Sequence, residues 1–579
     1  MAVVIWIQAI YIAATTAYWT FQSIHPLPRW DLWGIIEFLA RDQPVTLSWL
    51  WSPHNVHRVL IPRLISLADF NFFRGCGYFV LGLTLLMQIG SALMMVSLSL
   101  DVIGRSRDRR PWRLLASGLV ACFVSSASQI QNFTFPFGAF VGMMFFSTFA
   151  FFCLKRAIES ASRVWIAAGA LAAICSAFCL ASGIVTTVIF AAGSWKARVP
   201  RRALLSIIVI YVAFIAAYLH GNSAGNSHVM EALLHQRVQI FQYFFVFLGN
   251  VWSPQPMTAA IMGSWGLMLL LLVSLFTPFN QTWSDNRSGE PGLASADGSR
   301  LTDGISPASL ALFSVAVLIV GQGFMTSLGR VFMGVEQAVS SRYATSVCFF
   351  WTAVLVLTLA LLLNIGSLSS RYIAAYCALL LITVGQTAAQ NGSIGEAWAG
   401  NSRNFELAAN ALRVGVVDLN VFLLVSPVSR PEVVSRYRSF LLEHQLSIFA
   451  DSRYALLGRH INEVARPSPP GACLGYFDIA SRVGVQAGAK VQGWAWSRQE
   501  NNAPGLILLV DDAGIIVGLA SGRIERPDVV AAIPEINDQR TGWQGYAKEG
   551  RAVSAYALID GSRVACMLSG SFNVAPSTP

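Results

Sequence analysis

Residues 344–364 read ATSVCFFWTAVLVLTLALLLN, an unbroken run without a charged side chain. A helix of about 20 apolar residues is what crosses the hydrocarbon core of a bilayer. Ten further stretches share this character, at about 2–20, 77–100, 114–128, 137–154, 164–181, 183–195, 204–219, 257–277, 307–326 and 372–388. The stretch at 183–195 is short and follows Ser182-Gly183 closely, so it reads as half of a broken or re-entrant helix. The first stretch begins at once, without a basic segment or a clear small-residue cleavage site, and reads as a spanning helix rather than a removed leader. Composition agrees: 55% of the chain is hydrophobic and 12% is charged, about half the charged share of a soluble domain. The expectation is an α-helical polytopic membrane protein with about eleven spans.

Loop charges orient these spans. Arg105, Arg107, Arg109, Arg110 and Arg113 follow the second; Lys155, Arg156 and Arg163 follow the fourth; Lys196, Arg198, Arg201 and Arg202 follow the sixth. All three loops fall on one side if every stretch crosses, and basic loops are cytoplasmic. The N-terminus is then inside and the C-terminal region outside. The net charge of +10 belongs to these loops. No zinc-finger spacing, RNA-binding aromatic motif or Lys/Arg-rich run speaks for nucleic acid.

Residues 279–305 are polar and Gly/Ser-rich, as in a flexible linker. Three segments are expected: a transmembrane domain over 1–390 with a long external loop at 21–75, a helical connector over 391–470, and a small all-β, sandwich-like domain over 471–579. The last rests on short β-type runs, among them 483–486, 491–496, 506–510 and 515–519, with turn signals at Asp512-Ala-Gly514 and Asp560-Gly561. Seven of nine cysteines lie in apolar stretches, where a thiol acts as a small hydrophobe. Cys473 and Cys566 flank the β region, which in an exported domain predicts a disulfide.

The residues suited to chemistry cluster in segments expected outside. The first loop holds Trp30-Asp31, then Glu37, Arg41 and Asp42, then His54-Asn55-Val56-His57-Arg58 at the start of an amphipathic stretch. Gln131-Asn132-Phe133 joins the third and fourth spans. His228, Glu231, His235 and Arg237 lie beyond the seventh, and Arg330 and Ser341-Arg342-Tyr343 flank the ninth and tenth. External arginines run against the usual topology of basic residues, and guanidinium groups bind phosphate bidentately.

This set resembles the GT-C superfamily of membrane glycosyltransferases. The layout of about 1–390 carries the resemblance, as do Trp30-Asp31, His54 to Arg58, Gln131-Asn132-Phe133 and Ser341-Arg342-Tyr343, which look like segments of a largely uncharacterised bacterial GT-C-like family. That family has His-Asn-Glu-His-Arg where this chain has Val56, so any chemistry of the Glu is missing here. The resemblance implies inverting transfer of a sugar from a polyprenyl-phosphate donor to a glycan or lipid acceptor of the cell envelope. It makes Asp31 the base that takes the acceptor's proton. Arg58, Arg330, Arg342 and Tyr343, helped by His54 and His57, would meet the lipid phosphate, and Gln131, Asn132 and Trp30 would meet the acceptor. With no dense carboxylate cluster, no metal is assigned; a divalent ion at the carboxylate is the alternative, since some members of the superfamily use one.

Plainer readings stand beside these. Asp31 is a favoured residue for capping a helix that begins at Leu32. Glu37 and Asp42 are solvated loop charges. His54 and His57 suit interfacial packing, Arg58 and Arg63 suit lipid headgroups, and Trp30, Trp33, Trp49 and Trp51 suit an aromatic belt. Trp494 and Trp496 share one strand face by the period of two, and that face is either core or a sugar platform, as is the setting of Trp543. Competing functions are a polymerase or ligase of lipid-linked glycans, a transporter or flippase, and a receptor whose working part is the β domain.

Overall fold

The computed structural model describes the chain apart from residues 42, 56, 105, 222–225, 277–305, 366–369, 427–429, 470, 484–487, 549–551, 560, 562 and 574–579. The expected linker at 279–305, Asp42, Val56, Arg105, Asp560 and most of the run at 483–486 lie outside the described residues, as does the side chain of His228. The chain divides into two compact units. The first comprises Met1–Ser23, Val45–Ile65 and Val80–Ala399; the second comprises Ile24–Pro44, Ser66–Phe79 and Gly400–Pro579.

The first unit is a helical bundle. Among the described residues of the chain, nine helices are long and apolar enough to cross a membrane: Ala2–Ser23, Tyr78–Ile103, Arg107–Thr134, Ala139–Ser160, Arg201–Leu219, Pro256–Phe276, Pro307–Met333, Ser341–Asn364 and Arg371–Val414. This fits a membrane protein. Eleven full spans are not confirmed, because two of the expected stretches form shorter helices. Arg163–Cys179 has 17 residues and Ile184–Lys196 has 13, so at about 1.5 Å per residue the latter is only about 20 Å long. The two are separated by an extended Leu180 and a single 3₁₀ turn at Ala181–Gly183, so 183–195 is a broken-helix half.

The stretch 344–364 forms the centre of the bundle. Every residue from Tyr343 to Ala360 is buried, as befits a helix that is hydrophobic all round. By contrast, Leu205, Val209 and Val212 on Arg201–Leu219 are exposed, a surface that only lipid would cover. Small residues bring helices together. A Cβ on Gly263 would meet the Phe245 carbonyl oxygen at 2.0 Å, and one on Gly249 would meet that of Ala259 at 1.8 Å, so Arg237–Gly249 and Pro256–Phe276 touch backbone to backbone.

The last helix does not end near 390 as expected but runs unbroken over Ser370–Val414. Asn391, polar and fully buried, is satisfied within the bundle: its amide donates to Thr15 Oγ1 at 2.7 Å and Thr16 Oγ1 at 2.9 Å, and its oxygen accepts from the Ala127 amide at 2.7 Å.

The second unit holds an eight-stranded sheet. Its strands are β1 (Arg466–Pro467), β2 (Cys473–Arg482), β3 (Gly488–Ser497), β4 (Leu506–Asp511), β5 (Ile516–Ile524), β6 (Gly542–Lys548), β7 (Ala552–Ile559) and β8 (Val564–Asn573). The order is β1-β8-β2-β3-β6-β5-β4-β7, and β8 also pairs with β7. The sheet therefore closes on itself. It is barrel-like, which corrects the expected sandwich; inward and outward residues alternate along a strand in either architecture. Phe477, Val491, Leu509, Ala520, Trp543 and Ala555 fill its interior. Trp496 packs outside it with Ala503, Val529 and Ile536, and Trp494 is half-buried beside it. Cys473 and Cys566 are bonded, with Cα atoms 6.2 Å apart.

Candidate functional site

The first unit places five of the expected residues in one neighbourhood. Helix Pro307–Arg330 ends in Arg330; two 3₁₀ turns, Val331–Met333 and Val335–Val339, lead into helix Ser341–Asn364. Gly334 between them has φ 92°, a conformation that favours glycine. The turn aims Gln337 at two tyrosines. Tyr343 Oη donates to Gln337 Oε1 at 3.0 Å, Tyr243 Oη donates to the same oxygen, and the two hydroxyls are 3.4 Å apart.

Arg330 and Arg342 flank this cluster, and both act electrostatically on the Tyr243 hydroxyl. Arg342 Nε donates to Ser340 Oγ at 3.2 Å. Both arginines are half-buried, and neither has a carboxylate partner among the described residues. Asn132 steadies the segment, donating from Nδ2 to the Arg342 carbonyl at 2.9 Å and to Thr345 Oγ1 at 2.8 Å. Beside it the Gln131 amide donates to Ser341 Oγ at 3.4 Å. Gln131 and Asn132 are buried, so they hold the arginine segment rather than present themselves to an acceptor. Two unneutralised guanidinium groups beside two hydroxyls can hold an anion such as a phosphate. Tyr243 and Gln337 were not singled out from the sequence, since nothing local marks them.

His54 belongs to the same unit. His54 and His57 exchange main-chain hydrogen bonds of 2.6 and 3.0 Å across a tight turn in which Asn55 has φ 53°. The His54 ring lies 6.0 Å from that of Phe137, three residues before Phe140, whose ring meets Tyr343 edge-on at 5.8 Å.

Arg58 has another task. It is buried, and its Nε, Nη1 and Nη2 donate to the carbonyls of Tyr218, Trp51 and His220 at 2.7, 2.5 and 2.5 Å. Its guanidinium also lies over the Trp51 ring at 4.9 Å. Arg63 does likewise, with Nη1 on the carbonyls of Trp49 and Ser52 at 2.7 Å each. The first-loop arginines thus fold the loop, which corrects the expectation of Arg58 as a phosphate contact.

Asp31 and Trp30 belong to the second unit. Asp31 stands at the N-cap position of helix Leu32–Leu39, but its side chain makes no capping hydrogen bond. Trp30 has φ 46°, uncommon for a bulky residue, and its amide donates to the Val425 carbonyl at 2.7 Å. Its ring meets Phe405 edge-on at 6.2 Å, with Arg29 over both rings. It is a packing residue, not an open platform for an acceptor. Arg29 is fully buried, and burial brings its pKa down to about 9. Trp33 is packed too, stacked on Tyr437 at 5.4 Å.

A buried charge network that sequence reading missed lies in the second unit. Glu406 Oε2 is 2.6 Å from His25 Nε2, and its Oε1 accepts from Arg413 at 3.0 Å and Arg453 at 2.7 Å. Arg413 also reaches Asp451 at 3.2 Å. His25 Nδ1 accepts from the Leu27 amide at 3.0 Å, so the ring proton sits on Nε2 and the imidazole is neutral. Burial holds the His25 pKa below its ordinary value, with the Glu406 hydrogen bond opposing. Glu406 and Arg413 lie seven apart on one helix, the only local signal; their partners are far away in sequence. Buried charges persist only when paired, and here the pairing ties the first-loop segment to the connector.

Among the described residues no group of three or more His, Cys, Asp or Glu is placed to hold a metal ion. No protein-family model matches the chain, and no curated protein matches its sequence.

Proposed function

We propose that the protein is a membrane glycosyltransferase that moves a sugar from a polyprenyl-phosphate donor to a cell-envelope glycan or lipid acceptor, with inversion. The observation that carries this reading is the pair Arg330 and Arg342, without carboxylate partners among the described residues and set beside Tyr243 and Tyr343 where two long apolar helices meet their connecting turn. A lipid phosphate needs that combination of apolar surface and fixed cations.

In the proposed reaction the acceptor hydroxyl attacks the anomeric carbon and gives its proton to a carboxylate, assigned to Asp31 by the GT-C resemblance. The bond from the anomeric carbon to the phosphate oxygen breaks, and the lipid phosphate leaves with its charge met by Arg330 and Arg342. The loop charges support a cytoplasmic N-terminus and an external second unit, and the GT-C resemblance points to a bacterial inner membrane. Incubation of purified protein with a labelled polyprenyl-phosphate sugar and envelope acceptors tests this. Asp31→Asn should fold and bind donor but lose transfer; wild-type transfer by that variant removes Asp31 from the mechanism.

A second reading, a polymerase or ligase of lipid-linked glycans, is favoured by one observation: the arginines share their cluster with hydroxyls and an amide rather than with a carboxylate. It predicts full activity in Asp31→Asn and loss in Arg330→Ala and Arg342→Ala.

A further inference from the structure

The barrel of the second unit carries a cleft of about 360 Å³, within the range of small-ligand sites. It is lined by Asp478, Gln492, Arg526, Gln544 and the strand glycines Gly493 and Gly542, with Ile479 and Ile524 among its walls. Its construction follows from register. Ile479, Gln492, Gln544 and Ser521 lie directly opposite one another on β2, β3, β6 and β5, and opposed residues project to the same face. In the next row Gly542 lies between Trp494 and Ile524, and its missing side chain leaves a depression there. The register of β2 shifts between Phe477 and Ile479, making Asp478 the extra residue of a bulge, and bulges re-aim side chains.

Arg526 crosses this face. A Cβ on Gly542 would meet Arg526 Cγ at 2.8 Å, and Arg526 Nη1 donates to Asp478 Oδ2 at 2.6 Å. Its Nε and Nη2 are taken by Asp528 at 2.9 and 2.8 Å. One guanidinium thus faces two carboxylates, so the lining residues offer no uncommitted cation to an anionic ligand. The side-chain amides of Gln492 and Gln544, half-buried and adjacent, have no hydrogen-bond partner among the described residues. Trp543 borders the cleft as well, with its ring turned into the barrel interior beneath Gly493. Half-buried amides with donor and acceptor both unspent call for a ligand that offers both. Neighbouring hydroxyl groups on a sugar ring do so.

We infer that this cleft is a binding site for a neutral saccharide, held by the amides of Gln492 and Gln544 and bordered by the Asp478–Arg526 pair. It is independent of whether the protein transfers sugars, because the cleft contains none of the residues assigned to transfer.

Isothermal titration of the detergent-purified full chain with neutral hexasaccharides of gluco, manno and galacto configuration tests it, with a hexauronate as the anionic comparison. At least one neutral hexasaccharide should bind in the millimolar range or tighter. Gln492→Ala and Gln544→Ala should each weaken it about 3- to 10-fold, and the double variant about 10- to 100-fold, with thermal stability unchanged because neither amide holds the fold. Gln544→Asn, which keeps the amide but withdraws it by one methylene, should also weaken binding and serves if the double variant folds poorly. The inference is overturned if no neutral hexasaccharide binds, if the uronate alone binds, or if the glutamine variants bind with wild-type affinity.

Discussion

His25 and Glu406 stand 381 positions apart in the chain, yet their side chains meet at 2.6 Å. The contact lies in the interior of the second unit and fixes a neutral imidazole against a carboxylate that also serves two arginines. It makes the first-loop segment an integral part of the unit that carries the barrel.

The pair gives the second unit a pH dependence with a definite sign. Because burial depresses the His25 pKa, the folded form binds fewer protons than the unfolded form, and acid favours unfolding. This contribution is present above the unfolded value near 6.5 and is lost as pH falls below it. Asp451 adds a lower window. Burial alone would raise its pKa, but the Arg453 amide and the charges of Arg453 and Arg413 outweigh this and hold it below the ordinary carboxylate value. Its contribution is lost as pH falls below about 4. Thermal unfolding followed between about pH 7.5 and 5 should show a declining midpoint, and His25→Asn should flatten the decline. A midpoint that rises on acidification contradicts the assignment.

Arg413 should be the most sensitive position of the network. It is fully buried and serves both Glu406 and Asp451. Arg413→Met leaves Glu406 and Asp451 to the half-exposed Arg453, a change that costs roughly 1–3 kcal/mol. Denaturant unfolding monitored on the second unit reads this directly. Replacing Glu406 and Arg413 together by apolar residues should cost less than the sum of the single changes.

The Cys473–Cys566 bridge closes a loop with a sequence separation of 93. Its removal by Cys473→Ser with Cys566→Ser should lower stability by about 2–5 kcal/mol, read as a drop in the unfolding midpoint. Mass spectrometry of the non-reduced protein that finds two free thiols would remove the basis of this expectation.

Much of this architecture is written locally. The run at 344–364 announces a buried helix, and Asp511 shows why Asp512-Ala-Gly514 reads as a turn: its Oδ1 accepts from the amides of Ala513 and Ile515 at 3.0 and 2.8 Å, and Gly514 has φ 79°. Closure of the barrel is a different matter. It depends on β8 pairing with β7 and β2 at once, a long-range choice that alternation does not encode. The same holds at the arginine cluster. Arg330, Arg342 and Tyr343 are visible as polar residues flanking apolar runs, whereas Tyr243 lies in an aromatic-rich helix that gives no sign of its partner. Arg58 misled because its motif advertises charge, while its role is decided by three carbonyl groups, two of them some 160 positions away.

That division of labour among arginines can be tested. Arg58→Met strips one buried and two half-buried carbonyls of their donors and should destabilise the first unit by about 2 kcal/mol, measured as a lower unfolding midpoint in detergent. Arg330→Ala should leave that midpoint close to wild type, since Arg330 has no carboxylate partner among the described residues to abandon. Equal destabilisation by both would erase the distinction.

The most direct test is equilibrium binding of undecaprenyl phosphate to the full chain in nanodiscs, wild type against Arg330→Ala with Arg342→Ala. Two charge-assisted contacts to one phosphate predict a loss of about 100-fold or more in the double variant, with Arg58→Lys far closer to wild type. Unchanged affinity in the double variant, or no binding by the wild type, contradicts a lipid-phosphate site at the arginine pair and with it the proposed transfer.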